Sequence, residues 1–515
     1  MLAQIVSGAL CGIEAFPVMI EVNAGHGEPR TIVVGLPDLA VKESIDRVWT
    51  ALLHAGFEPP CGRTTINLAP ADRKKEGPSF DLPIALGILA ATEALKGELL
   101  ARICVVGELA LSGAVRPVRG VLPFTIMAKK RGYRAVMVPA DNAAEAAVVE
   151  GIKVFAVHNL RMAADFLNRT LSLEPVEVDR KSLFSMPSDQ AMDFADVKGQ
   201  ERAKRALEVG VSGGHNVLMV GPPGSGKSML AKCVPSMLPP MTLPEALETT
   251  QVHSITGRLS SDKPLIITRP FQSPHHTVSD AGLLGGGSNP MPGAVSLAHN
   301  GVLFLDELPE FNRQVLEVLR QPLEDGHVTI VRAGAQATYP CACMLVAAMN
   351  PCPCGYQSDS QRVCRCTPRQ IERYRGRVSG PLFDRLDIQL EVPSAQYEQL
   401  RSLKPGESSK TIRSRVMRAR NLQQQRFKQL LGVHTNAQIP TKRLAAFCPL
   451  TPDVEELLRQ AMQDLQLSAR AYHRILKVAR TIADLEEAEK IEVPHLAEAI
   501  SYRSLDRLTV KRGGR

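Results

Sequence analysis

A chain of 515 residues, 44% hydrophobic and 22% charged, has the length of about three domains and the balance of an ordinary globular protein, which excludes disordered and fibrous classes. The longest apolar stretch without a formal charge, Leu82 to Thr92, contains a proline and falls short of the ~18 residues a membrane span needs, so no membrane partner is expected. Lys and Arg exceed Asp and Glu by 61 − 53 = 8, a mild excess that permits a polyanionic partner without requiring one.

The N-terminus, MLAQIVSGALCGIEAF, has no basic region and meets Glu14 early, so it does not read as a secretory signal and a cytoplasmic location is expected. Residues 1–170 alternate β-rich runs (Val18 to Val22, Thr31 to Leu36, Ile103 to Val106, Ala135 to Val138) with helical patterns at Leu39 to Ala55 and Asp81 to Leu95, which predicts an α+β domain. The stretch 171–193 mixes Pro, Ser and charge without either period and reads as a linker. Residues 194–400 return to strand and helix alternation, an α/β pattern, and 401–515 are almost entirely helical.

Asn216 to Val220 is a short apolar strand, GPPGSGKS follows at once, and MLAKCVPSML continues as a helix stopped by Pro239 and Pro240. That is the strand, phosphate loop and helix of a nucleotide-binding P-loop. Gly221, Gly224 and Gly226 let backbone N–H groups face inward around phosphates, so Gly221, Pro222, Pro223, Gly224, Ser225, Gly226, Lys227, Ser228 and Met229 are the candidate ATP contacts. Lys227 suits the β and γ phosphates, and Ser228 a magnesium ion. The run Val302 to Leu305 reads as a strand buried on both faces and delivers Asp306 and Glu307 to its carboxyl end. There Asp306 can hold magnesium and Glu307 can deprotonate the attacking water. A third strand, Met344 to Met349, ends at Asn350, either a turn asparagine or a side chain placed to position that water. In SGPLFDRLDI, Arg385 is either a surface ion-pair arginine or, in a ring of subunits, a donor to the neighbour's γ-phosphate.

Cys352, Cys354, Cys364 and Cys366 form C-x-C-x9-C-x-C, a set that closes around zinc or remains a cluster of reduced thiols. Cys341 and Cys343 read as small buried residues alternating on a strand. Arginines crowd between Arg362 and Arg377, and residues 401–430 hold nine Lys or Arg against Glu407 alone. Such stretches are either solvated basic faces or phosphate-contacting surfaces for DNA, with Arg413 a candidate contact. HVTIVRAGAQATYP, His327 to Pro340, predicts a hairpin around Arg332, Ala333 and Gly334, with Arg332 a second candidate contact. The insertion from Arg269 to Pro290 carries His275 and His276 but few carboxylates, so it does not read as a metal site.

GPPGSGKS, VLFLDEL, AAMNPCPCG, SGPLFDRLDI, RPFQSPHHTVSDAGLLGGG and LSARAYHRILKVARTIADL together resemble the magnesium-chelatase-like AAA+ ATPases of the YifB/ComM type over nearly the whole chain. The resemblance implies an AAA+ P-loop core with a C-terminal helical lid, a homo-hexameric ring with ATP and Mg²⁺ between subunits, and Arg385 as the finger acting in trans. It also implies Arg470 as the second sensor, with Arg474 in reserve, and FADVKGQ, including Val197 and Gly199, as the border of the adenine. The function it implies is a helicase or branch-migration motor on single-stranded or branched DNA, in recombination or uptake of transforming DNA. The other reading is a protein-remodelling ATPase. EGPSFDLPIAL and CVVGELALSGAVRPVRGVLP are similar to the Lon protease domain, with Ser79 at the serine position and Leu122 at the lysine position. Leucine cannot take a proton, so an inactive Lon-like domain with Ser79 at a helix start is expected. Lys129 and Lys130 lie nearby in sequence and could substitute for it, which leaves a peptidase reading open.

Overall fold

The computed structural model describes residues 2–25, 27–58, 60–96, 98–185, 192–287, 289–332, 335–357, 359, 362–394, 406–430 and 432–503. They form two compact units: residues 1–186, 242–267 and 331–339 make one, and residues 187–241, 268–330 and 340–515 the other. Part of the expected linker (Met186 to Ala191), the hairpin tip Ala333 and Gly334, and Arg401 and Lys404 of the basic stretch lie outside the described residues.

The first unit is built on a mixed seven-stranded sheet. Its strands are β1 (Leu2–Cys11), β2 (Glu14–Ala24), β3 (Arg30–Val34), β4 (Arg63–Ala69), β5 (Ile103–Val105), β6 (Ala135–Pro139) and β7 (Lys153–Val157), in the order β3-β4-β2-β1-β5-β6-β7. The tight turn at Gly12 folds β1 back on β2 antiparallel, from Leu2 opposite Asn23 to Cys11 opposite Glu14. Val18, Ile20 and Val22 alternate into the core, the period of a strand with one buried face. α1 (Leu39–His54) starts at Asp38, whose carboxylate accepts from Val41 N. α2 (Asp81–Ala91) is buried along its whole length, as a helix without a polar face must be. α3 (Val121–Lys130) is capped by the buried Glu145, which accepts from Leu122 N at 2.9 Å. Glu145 also accepts the hydroxyl of Ser254, on helix Leu243–Ile255 of the same unit. α4 (Leu160–Leu167) is capped by Asn159.

In the second unit every described strand of the main sheet is parallel to its neighbours. The strands are β8 (Val217–Val220), β9 (Phe271–Gln272), β10 (Val302–Leu305), β11 (Met344–Met349) and β12 (Ile388–Glu391), in the order β9-β10-β11-β8-β12. Buried on both faces, β8, β10 and β11 are continuous apolar runs, whereas β9 is half-buried and β12 ends on the exposed Glu391. α5 (Glu201–Gly213) and α6 (Lys227–Met237) flank β8, α6 ending before the proline pair. α7 (Pro368–Arg375) begins in a capping box made by Thr367 and Gln370. The chain then becomes helical: α8 (Ser409–Phe427), α9 (Pro452–Asp464), α10 (Ala469–Leu485) and α11 (Val493–Ser501). One core runs from the sheet strands through α5 and α6 into α8, α10 and α11. Cys341 and Cys343 precede β11 in irregular chain rather than alternating on a strand, because β11 begins only at Met344.

Candidate nucleotide site

Parallel register puts the polar tips of three strands at one edge. Val220 pairs with Met349, and Leu305 with Ala347, so the chain leaving β8, β10 and β11 meets there as Gly221, Asp306 and Asn350. Gly221 N donates to Met349 O at 3.2 Å. A Cβ at Gly221 would lie 2.1 Å from Val392 O, so a side chain is excluded by backbone. Gly224 and Gly226 have φ of 78° and 89°, a left-handed conformation that costs other residues ~1 kcal/mol or more. The loop then opens into α6 with its first N–H groups free to face an anion.

Lys227 is 8% exposed, and its ammonium is folded onto the loop. Nζ donates to Gly221 O and Pro222 O at 2.8 Å and lies 3.4 Å from both Ser225 Oγ and Asn350 Oδ1. Burial holds it below its ordinary pKa, while Asp306 and Glu307 pull the other way. Ser228 Oγ donates to Asp306 Oδ2 at 2.6 Å. A hydroxyl and a carboxylate oxygen this close are the hard ligands a magnesium ion takes, so the residues present fit that metal. Glu307 follows with φ of 51°, its N–H on Asp306 Oδ1 at 2.9 Å and its carboxylate facing His276. At the other end of the loop, Gln200 Nε2 donates to Pro393 O at 2.7 Å, after Gly199 with φ of 66°. Val197 is buried in the core beside Phe194, and Met229 packs on the same core half-buried.

The families described as "Magnesium chelatase, subunit ChlI", "Subunit ChlI of Mg-chelatase" and "Magnesium chelatase, subunit ChlI C-terminal" match residues 193–400, 20–142 and 406–503. Competence protein ComM of Haemophilus influenzae is 44% identical over 513 residues, 99% of each chain. YifB of Salmonella typhimurium is 44% identical over 511 residues, 99% of this chain and 98% of that one. The chain belongs to the YifB/ComM family. It is thus a magnesium-chelatase-like AAA+ protein, a family of ATPases. A shorter likeness, 29% over 147 residues, links it to Lon protease 2 of Bacillus subtilis, covering 28% of this chain and 26% of that protein.

The arginines that the YifB/ComM resemblance singles out differ in their surroundings. Arg385 has only 12% of its side chain exposed and is paired with Glu324. One of its terminal nitrogens donates to Pro381 O at 2.9 Å, and its Nε is buried without a partner. Arg470, at the start of α10, is 69% exposed and lies 3.3 Å from Asp384. Arg474, one turn on, is committed to the buried Asp387 and to Arg385 O. Asp387 also faces His215 Nδ1 at 3.4 Å and accepts from Asn216 N at 3.2 Å. Burial pushes this carboxyl up, but Arg474 and His215 overcome it and hold it well below the usual range. Sequence reasoning missed this network because its members lie 87 to 172 positions apart.

The four clustered cysteines converge. Cys352 Sγ lies 3.4 Å from Cys354 Sγ and 3.7 Å from Cys364 Sγ, and all four sulfurs lie within 4.8 Å of one another. Four thiolates at ~2.3 Å from a tetrahedral zinc sit about 3.8 Å apart, so the set fits zinc. Backbone N–H groups of Tyr356 and Arg365 lower the Cys354 thiol, whereas burial and the neighbouring sulfurs raise those of Cys364 and Cys366. Among the described residues this is the one such cluster. It adjoins the phosphate loop: a Cβ on Gly355 would lie 2.5 Å from Pro223.

Much of the basic charge is spent internally. On α8, Arg415 pairs with Glu208 and Glu407, Arg418 with Glu487, and Arg426 with Asp484, while Arg420 donates to Val211 O. Arg413 is half-buried, and Arg332 is exposed at the end of strand His327–Arg332. Of the arginines near the cysteines, Arg375 and Arg377 are bound to Pro351 O and Glu310, whereas Arg365, Arg369 and Arg373 are exposed.

In the Lon-like unit, Ser79 lies in the turn Pro78–Phe80 just before α2, and no side chain caps that helix. Leu122 is buried, and Lys129 and Lys130 are exposed. The buried Lys75 spends its ammonium on the carbonyls of Gly35, Pro70 and Arg73. No helix among the described residues is long and apolar enough to cross a membrane.

Proposed function

We propose that the protein is a cytoplasmic hexameric ATPase that drives DNA, single-stranded or branched, through a ring, acting as a helicase or branch-migration motor. The observation that carries the ATPase part is the convergence at one strand edge of Lys227, the Ser228 and Asp306 pair, and Asn350. In this reading the loop from Gly221 to Met229 cradles the phosphates, and Lys227 exchanges its carbonyl partners for β and γ oxygens. Ser228 and Asp306 would hold the magnesium ion, which when bound neutralises charge on the phosphates. Glu307 takes the proton of the attacking water, and Asn350 orients that water. Arg385 leaves Glu324 for the neighbouring subunit's γ-phosphate, and Arg470, free of deep burial, senses nucleotide in its own subunit. Val197 and Gly199 border the adenine. Cys352, Cys354, Cys364 and Cys366 hold a structural zinc beside the loop. Residues 1–170 act as a Lon-like domain joined through the linker 171–193 to the motor domain 194–400, which the lid domain 401–515 follows.

The DNA part draws support from the similarity to a competence protein, ComM, and from the exposed Arg332. Arg413 is the second proposed contact. A protein-remodelling ATPase is the second reading, favoured by the internal pairing of Arg415, Arg418 and Arg426. ATP turnover measured with branched DNA, linear DNA and denatured protein decides between them. Stimulation by DNA, weakening steeply with salt and less steeply in Arg332→Ala or Arg413→Ala, supports the motor. Stimulation by denatured protein alone overturns it.

A further inference from the structure

The histidine pair of the insertion reaches the phosphate edge. β9 runs parallel to β10 with Phe271 beside Val302 and Gln272 beside Leu303. The residues that follow β9 therefore emerge on the same side of the sheet as Asp306 and Glu307. His276 Nδ1 lies 3.3 Å from Glu307 Oε2, an ion-pair contact rather than a formed hydrogen bond. Glu307 is the more exposed of the two partners: 55% of its side chain is exposed, against 30% for His276.

The imidazole is itself held in place. Its ring lies against that of His275 at 4.1 Å between centroids, tilted by 34°, and its edge meets Phe311 at 6.4 Å. Phe311 is buried in the core. His275 is fixed in turn, because its Nδ1 accepts from Thr277 N at 3.4 Å and lies 2.9 Å from Thr277 Oγ1. Val278 N closes the turn on His275 O at 2.9 Å. Anchored turn and packed ring together hold the imidazole beside one oxygen of a carboxylate whose backbone is already constrained at φ of 51°.

We infer that His276 is a positioning residue for ATP hydrolysis, orienting the Glu307 carboxylate through Nδ1. The inference rests on the proposed role of Glu307 as the base. A base held on one oxygen presents the other to the water. Misplacing a reacting group by ~1 Å costs on the order of a hundredfold in rate, whereas nucleotide binding through the loop and Lys227 does not involve His276. Losing the imidazole thus lowers kcat and leaves KM in place.

The test is steady-state ATP turnover by the full chain over a range of ATP concentrations, with binding of a non-hydrolysable fluorescent ATP analogue measured in parallel. The variants are His276→Ala, His276→Asn, His276→Gln, Glu307→Gln and the double variant His276→Ala with Glu307→Gln. An asparagine amide can place its nitrogen near the Nδ1 position, and a glutamine amide near Nε2. Expected are a kcat lower by roughly ten- to a hundredfold in His276→Ala at unchanged KM and analogue affinity, recovery in His276→Asn but not in His276→Gln, and no further loss when His276→Ala is added to Glu307→Gln. Wild-type kcat in His276→Ala, a matching loss of analogue binding, or equal rescue by glutamine overturns the inference while leaving the ATPase reading intact. Full turnover in Glu307→Gln overturns the reading itself and the inference with it.

Discussion

Two arginines one turn apart on α10 invite the same substitution and have opposite consequences. Arg474→Ala removes the main partner of Asp387, which is 5% exposed and keeps only the 3.4 Å His215 contact and the 3.2 Å bond from Asn216 N. Stranding a buried charge costs ~3–5 kcal/mol, and with two partners remaining the lower end, about 3 kcal/mol, is expected. Arg470→Ala removes a pair that is 69% exposed on the arginine side, worth about 0–1 kcal/mol. Urea unfolding followed by helical circular dichroism separates the two. The sign with pH follows from the depressed Asp387 carboxyl: its stabilisation is present above the unfolded value of about 4 and is lost as pH falls below it. The Arg474→Ala deficit is therefore full at pH 7 and closes in acid. ATP turnover should fall in Arg470→Ala at an unchanged unfolding midpoint. If Arg474→Ala unfolds at the wild-type urea concentration, or Arg470→Ala loses as much stability, the assignment of structural and sensing arginines is wrong.

In the Lon-like unit, Arg47 binds Asp81 through Nε at 2.9 Å and a terminal nitrogen at 3.3 Å. Burial raises the Asp81 carboxyl to about 6 even against Arg47. The folded unit binds that proton more tightly than the unfolded chain, so stability declines as pH rises from about 4 to about 6. Arg47→Ala should cost about 3 kcal/mol at pH 7.5, with a deficit that shrinks in acid; a deficit independent of pH in thermal unfolding would refute this. For the cysteines, metal analysis of the purified protein should give one zinc per chain, absent from Cys352→Ser. Because Gly355 abuts Pro223, loss of zinc should also weaken binding of an ATP analogue, and unchanged binding would contradict that coupling.

The sheet edge was legible because its information is local. Apolar runs mark β8, β10 and β11, glycine spacing marks the loop, and each polar tip follows its strand directly. The cysteine spacing was legible for the same reason, although only the fold shows that the cluster leans on Pro223. Charge was read less well. Residues 401–430 look like an uncompensated basic surface, yet the acids that answer them, Glu208, Asp484 and Glu487, lie 58 to 207 positions away. No local pattern carries such a pairing. His276 was passed over as a poor metal ligand, since its partner became visible only once β9 was laid beside β10. An adjacent histidine pair just after a two-residue strand was the available signal.

The most direct measurement is displacement of one arm of a branched DNA by the full chain with ATP and magnesium, wild type beside Glu307→Gln. Wild type is expected to displace the arm, stopping when ATP is replaced by a non-hydrolysable analogue, and Glu307→Gln to displace none although it still binds the analogue. Displacement by Glu307→Gln at the wild-type rate, or ATP turnover by wild type with no movement of any DNA, would contradict it.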